Sequence, residues 1–226
     1  MTRVSLVCTV HEESGCASVA ELRAILEAIQ PEVIFLELPP EAFDDFYGNC
    51  NKYNLESMAV GQYREGRQIR LVAVDLPAPS SEFVSNHKEL CRRISQVSPN
   101  YRRLMQWDDD CIREHGFVYL NSEDCSELWL SVYNEMLSAI EWLKDSRLLA
   151  PYESWKETNN LRENAWIENI QKYCNANSFD KSAFLVGAAH SQAIIEKSRA
   201  PIVAGSTRIQ WDFTDWMSEV AQVRGA

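Results

Sequence analysis

Four apolar runs in this chain stop abruptly at a charged residue or a histidine, and that repetition constrains the fold more than any single motif. Val4 to Val10 runs into His11-Glu12-Glu13, and Val33-Ile34-Phe35-Leu36 runs into Glu37. Arg70 to Val74 runs into Asp75, and Ala183 to Gly187 into Ala188-Ala189-His190. Short runs that are apolar on both faces suit buried parallel strands. The first two are separated by a helical stripe of Val19, Leu22, Ile25, Leu26 and Ile29, closed by Pro31. Ser18 and Glu21 have capping-box spacing at its start. Strand, helix and strand of this length make one right-handed parallel crossover. The expected fold class is therefore α/β, a mostly parallel open sheet flanked by helices.

The third and fourth runs are far apart. After Pro77-Ala78-Pro79 no strand pattern returns until Ala183. Leu128 to Leu143 carries Leu128, Val132, Met136, Ile140 and Leu143 at helical spacing, and Asn159 to Tyr173 reads as a second helix. The chain thus reads as a single α/β domain over 1–226, with a helical insertion or subdomain at about 78–174 between the third and fourth core strands. Trp107, Trp129, Trp142, Trp155 and Trp166 fall in that insertion, where they either wall a pocket or fill the core between helices. Residues 41–70 are expected to hold one or two short helices. Ser191 to Glu196 begins another, Pro201 to Gly205 is a short strand or an ordered loop, Ile209 to Phe213 alternates like an edge strand, and Trp216 to Val223 is a short helix.

Charge and cysteine usage exclude several classes. The net charge is −11, from 22 basic and 33 acidic residues, and no Lys/Arg-rich run occurs. No nucleic-acid partner and no membrane partner is therefore expected. No apolar run approaches the length of a membrane span. Seven cysteines, an odd number without a CxxC, suit a reducing compartment, and with no export signal the expected localisation is cytoplasmic. The oligomeric state and the identity of a small-molecule or peptide substrate stay open.

In an open α/β sheet the crevice beyond the carboxyl ends of the strands is where ligands bind. His11, Glu37 and His190 all lie there. Gly187, Ala188 and Ala189 let another group approach the backbone closely. Two imidazoles and one carboxylate form a two-His, one-carboxylate set for a divalent metal ion, or equally a metal-free acid–base set. Glu12 or Glu13 could assist either. On the helix from Asn159, Leu161, Trp166, Ile167 and Ile170 face inward, and Arg162 shares the neighbouring face with Ala165 and Asn169. A guanidinium there suits a carboxylate or an oxyanion. Glu163, one position on, faces differently. His87 and His115 sit in polar segments and are not candidates. No nucleophile elbow, phosphate-binding glycine loop or His-Glu-x-x-His helix is present.

Three stretches together resemble the TraB/Tiki and erythromycin-esterase-like superfamily, whose core is also similar to that of the ChaN haem-binding proteins. They are Cys8-Thr9-Val10-His11 followed by the strand ending at Glu37, the helix reading Arg162-Glu163-Asn164-Ala165-Trp166, and Gly187-Ala188-Ala189-His190. They occur in family order and bracket nearly the full chain. The resemblance implies that His11, Glu37, Arg162 and His190 form a shared polar centre, with Glu163 as the acidic neighbour of the Arg. It also implies a hydrolase acting on a peptide, ester or lactone. Cys8 stands where the first motif has Gly, and Trp166 where the helix usually has Met. Two other readings remain: a non-catalytic protein binding a small ligand, an anion or haem, and a structural or interaction protein with a residual site.

Overall fold

Strands β1 (Thr2–Thr9), β2 (Val33–Leu36), β3 (Arg70–Ala73), β4 (Lys181–Gly187) and β5 (Ile209–Asp212) form one sheet in the order β3-β2-β4-β1-β5. Every pairing is parallel. The computed structural model describes residues 2–48, 52–199 and 207–224. The stretch Pro201 to Gly205 lies outside the described residues.

The parallel order follows from the pattern. The central strands β1, β2 and β4 bury nearly every side chain. Between β1 and β2 runs helix α1 (Val19–Ile29). The hydroxyl of Ser18 caps it by accepting the N–H of Glu21. Its apolar stripe, Val19, Leu22, Ile25, Leu26 and Ile29, is buried throughout, each side chain contributing roughly 1.5–3 kcal/mol. Gln30 ends the helix in the left-handed conformation, and Pro31 follows.

Residues 41–70, expected to hold short helices, contain a 3₁₀ turn at Pro40–Ala42, a π turn at Asp44–Gly48 and α2 (Leu55–Arg64). Asn54 and Ser57 form a reciprocal capping box at the start of α2.

The helical insertion between β3 and β4 comprises α3 (Ser81–Val97), α4 (Pro99–His115), α5 (Phe117–Leu120), α6 (Glu123–Leu143) and α7 (Ser146–Ala176). It has an apolar cluster of its own, built from Leu90, Ile94, Val132, Met136, Ile140 and Tyr152 among others. The spacing of apolar residues predicts a helix only from Asn159. In the structure α7 begins a full three turns earlier and passes through Pro151, because its first half packs into the insertion's cluster through Leu148 and Tyr152. Tertiary burial outweighs the lost N–H at Pro151. The second half turns to the sheet, where Trp166 meets Phe184 of β4 edge to face.

Helices α8 (Ser191–Ser198) and α9 (Asp215–Arg224) complete the chain. The five insertion tryptophans divide by role. Trp107 and Trp142 are largely exposed, Trp129 and Trp155 pack against the insertion's cluster, and Trp166 alone among them is fully buried against the sheet.

Candidate functional site

Four strand ends and the middle of α7 meet at the carboxyl edge of the sheet. Strand β2 stops at Leu36, so Glu37 is the first residue past it, and β3 delivers Asp75 in the same way. Arg162 reaches both. Its Nε lies 3.1 and 3.2 Å from the two Asp75 oxygens, and its Nη2 donates to Asp75 Oδ2 and Glu37 Oε1, both at 2.7 Å. Trp166, one turn along α7, donates its indole N–H to Asp75 Oδ1 at 2.7 Å. Its ring also lies 4.8 Å from the guanidinium carbon, in cation–π contact. The large side chain at the position the resemblance gives to Met therefore ties the acid and the base together. Asn169, on the face predicted for it, donates to the carbonyl of Val74.

Gly187 explains the small residues at the end of β4. Its backbone N–H donates to Glu37 Oε2 at 2.7 Å. A Cβ built there would stand 3.3 Å from that oxygen. The group that needs close approach is thus the Glu37 carboxylate, gripped by Arg162 on one oxygen and by the neighbouring strand on the other.

His190 follows, nine-tenths buried. Its Nδ1 lies 2.7 Å from Glu163 Oε1, and Nε2 lies 3.9 Å from Glu37 Oε1. The other Glu163 oxygen receives Lys197 at 3.0 Å. Asn160 holds that ammonium through its carbonyl and side-chain oxygens. Burial works to raise the Glu163 carboxyl, but the bonds from His190 and Lys197 outweigh it and hold the group below the usual carboxylate range. An anion on Nδ1 fixes the imidazole with its proton there and leaves Nε2 to face the centre. Trp166 packs edge-on against the ring at 4.9 Å. Arg162 and Glu163 do face differently, as their spacing predicts. They nonetheless flank one centre, Arg162 serving Asp75 and Glu37, Glu163 serving His190.

His11 stands apart from that bonded chain. Its side chain is 65% exposed, and its Nδ1 lies 3.0 Å from Glu56 Oε1. The same oxygen accepts the hydroxyl of Thr9 at 2.7 Å. The hydrogen bond to Glu56 pushes His11 up to about 9, against the opposing effect of burial, with smaller charge contributions from Glu56, Glu37 and Arg162. A cavity of about 30 Å³ separates this pair from Glu37. Glu12 is exposed in the turn that follows, and Glu13 accepts the N–H of Val19 at the start of α1.

Cys8 does not offer a reactive thiol. Burial pushes it up to about 11, with a lowering bond from Ser191 and a raising charge from Glu37. Both of its backbone groups are clamped by Asn121, whose Oδ1 accepts the Cys8 N–H at 2.7 Å and whose Nδ2 donates to the Cys8 carbonyl. The backbone where the motif's Gly would sit is therefore covered by a side chain.

The metal set expected at His11, Glu37 and His190 meets a mixed arrangement. Both imidazoles have Nδ1 on a carboxylate, the orientation that second-shell carboxylates give to metal-bound histidines. Both Glu37 oxygens, however, are engaged by Arg162 and Gly187. Among the described residues no group of three or more His, Cys, Asp or Glu side chains is spaced to hold a metal ion.

Sequence reasoning missed Glu56 and Lys197 as members of the site, and it recognised Asp75 only as a charged strand end. Glu56 sits on a helix in a stretch without clear periodicity. Lys197 lies seven residues past His190, two turns along α8, a spacing that puts both on one face of the helix, where each reaches Glu163.

No protein-family model and no curated protein matches the chain. Among solved structures it is similar to a mutant of the erythromycin esterase EreC in its open conformation, at 13% identity and a TM-score of 0.37. The alignment covers 92% of this chain and 65% of that one. A likeness at that level leaves the reading of the site to the side chains themselves.

Proposed function

We propose that this chain is a hydrolase that activates water with His190 and cleaves a carbonyl bond of the ester, lactone or peptide type. The observation that carries this reading is the 2.7 Å contact of His190 Nδ1 with Glu163, which leaves Nε2 directed at the Arg162–Glu37 pair. It is the pairing of a base with an orienting carboxylate that general-base catalysis requires. Nε2 takes a proton from water as the water oxygen bonds the carbonyl carbon, and Glu163 stabilises the imidazolium formed. The proton then passes to the leaving oxygen or nitrogen as its bond to the carbonyl carbon breaks. Arg162 uses Nε and Nη2 for Asp75 and Glu37. Its Nη1 is the donor assigned to the oxyanion. Lys197 keeps Glu163 ionised and in place.

The test is a hydrolysis screen with p-nitrophenyl acetate, a δ-lactone and a dipeptide amide. His190→Ala should lower kcat/KM by about 10²–10⁴-fold with an unchanged circular dichroism spectrum. Glu163→Gln should lower kcat more than it raises KM and shift the pH profile. A wild-type protein without turnover on all three classes, or a His190→Ala variant as active as wild type, overturns the reading. Activity lost on dialysis against EDTA and restored by a divalent ion would replace it with metal-assisted water activation.

A further inference from the structure

The proposed mechanism leaves Glu56 without a task beyond holding His11, yet Glu56 is the least satisfied group in the site. Its residue is 7% exposed. Oε1 takes both Thr9 and His11, while Oε2 is buried with no hydrogen-bond partner among the described residues. A buried charged oxygen left so is costly, by about 1–3 kcal/mol or more. Glu56 lines the cavity of about 30 Å³ noted above, with His11, Glu37, Phe46, Tyr47 and Leu185. That space suits one or two non-hydrogen atoms.

The two carboxylates that line it are acceptors only. The guanidinium beside them is divided between Glu37 and Asp75, and the His11 ring is engaged by Glu56 Oε1, so Glu56 Oε2 is the acceptor left without a donor among the described residues. An ammonium group carries three donors and no acceptor, and the aromatic rings of Phe46 and Tyr47 tolerate a cation. We propose that the cavity between Glu56 and Glu37 is a subsite for a primary ammonium group of the substrate, with Glu56 Oε2 as its principal acceptor. The substrate class is then an amine-bearing ester, lactone or peptide. This rests on reading the adjoining centre as hydrolytic, but the subsite itself is testable without turnover.

The probe is methylammonium chloride, titrated onto the full chain and followed by ¹³C-methyl NMR, with methanol as the neutral control at constant ionic strength. Expected are saturable binding of methylammonium at least tenfold tighter than of methanol, and nuclear Overhauser contacts from the methyl group to the rings of Phe46 or Tyr47. Glu56→Gln, which keeps the shape and turns an amide N–H₂ or a neutral oxygen toward the cavity, should weaken methylammonium at least tenfold. Glu114→Gln on the exposed end of α4 should leave it unchanged. Equal binding of methanol and methylammonium overturns the ammonium assignment. Binding that survives Glu56→Gln overturns the site. Should Glu56→Gln fail to fold, the wild-type contacts decide alone, and their absence refutes the proposal. A protein that binds methylammonium as described yet hydrolyses none of the three screened substrate classes would fail the hydrolase reading and keep the subsite.

Discussion

Replacing Asp75 by Asn tests whether the strand-end network holds the site together. The substitution preserves shape and removes charge. Asp75 has a side chain only 4% exposed, facing an Arg162 side chain that is 20% exposed. Arg162 Nε and Nη2, the Trp166 indole and the Leu76 N–H all converge on its two oxygens. An amide offers one acceptor, so whichever way the new side chain turns, its N–H₂ meets a donor. Removing one partner of a buried ion pair costs about 3–5 kcal/mol. Arg162 keeps Glu37, which trims the expected loss to about 3 kcal/mol. For a chain of 226 residues that is a fall in Tm of about 6–12 °C. The assay is thermal and urea unfolding of wild type, Asp75→Asn, Arg162→Met and the double variant. If the network is a unit, the double variant is less destabilised than the sum of the singles by about 2 kcal/mol. A single variant within about 0.5 kcal/mol of wild type, or strict additivity, would refute the reasoning.

Two further perturbations separate the groups around that network. His11 has a folded value of about 9 against 6.5 for the free side chain, so its bond to Glu56 stabilises the fold fully below about 6.5, and that stability is lost as pH rises through about 9. The ring is largely exposed, so solvent screening keeps the contribution small. An NMR titration of the His11 ring should show its midpoint fall toward 6.5 in Glu56→Gln, and an unchanged midpoint would sink the pairing. Gly187 has ordinary backbone angles, so Gly187→Ala brings no backbone strain. Its new Cβ, 3.3 Å from Glu37 Oε2, should displace the carboxylate and lower ester hydrolysis about tenfold while Tm moves little. Full activity would show that the close approach is not needed.

Local sequence carried the strands, the first helix and the side of the sheet that matters, because burial on both faces and capping chemistry are written within a few residues. The polar residues at strand ends were also legible: Glu37, Asp75 and His190 all end on the carboxyl edge. Partner choice was not. Arg162 and Asp75 are 87 positions apart and His190 and Glu163 are 27, and nothing in either neighbourhood names the other. His11 shows the limit most plainly. Its strand end predicts a group at the carboxyl edge, where it lines a cavity with Glu37, but not the carboxylate from α2 that its ring meets, since that helix lies in a stretch with little periodicity. Trp166 was legible as a core residue but not as a donor, since an apolar stripe does not say where an indole N–H ends.

Helix α7 is 31 residues long, which makes it a rod of about 46 Å. Its first turns are anchored among the insertion's side chains at Leu148 and Tyr152, and its middle carries Arg162, Glu163 and Trp166 into the sheet's edge. Tyr152 and Arg162 stand about 15 Å apart along the axis. A tilt of about 5° pivoting at Tyr152 would swing the guanidinium by about 1.3 Å, enough to break bonds of 2.7 Å and to cost a reaction about a hundredfold. A movement of those helices that tilted α7 would thus shift Arg162 against Asp75 and Glu37 without touching any of the three.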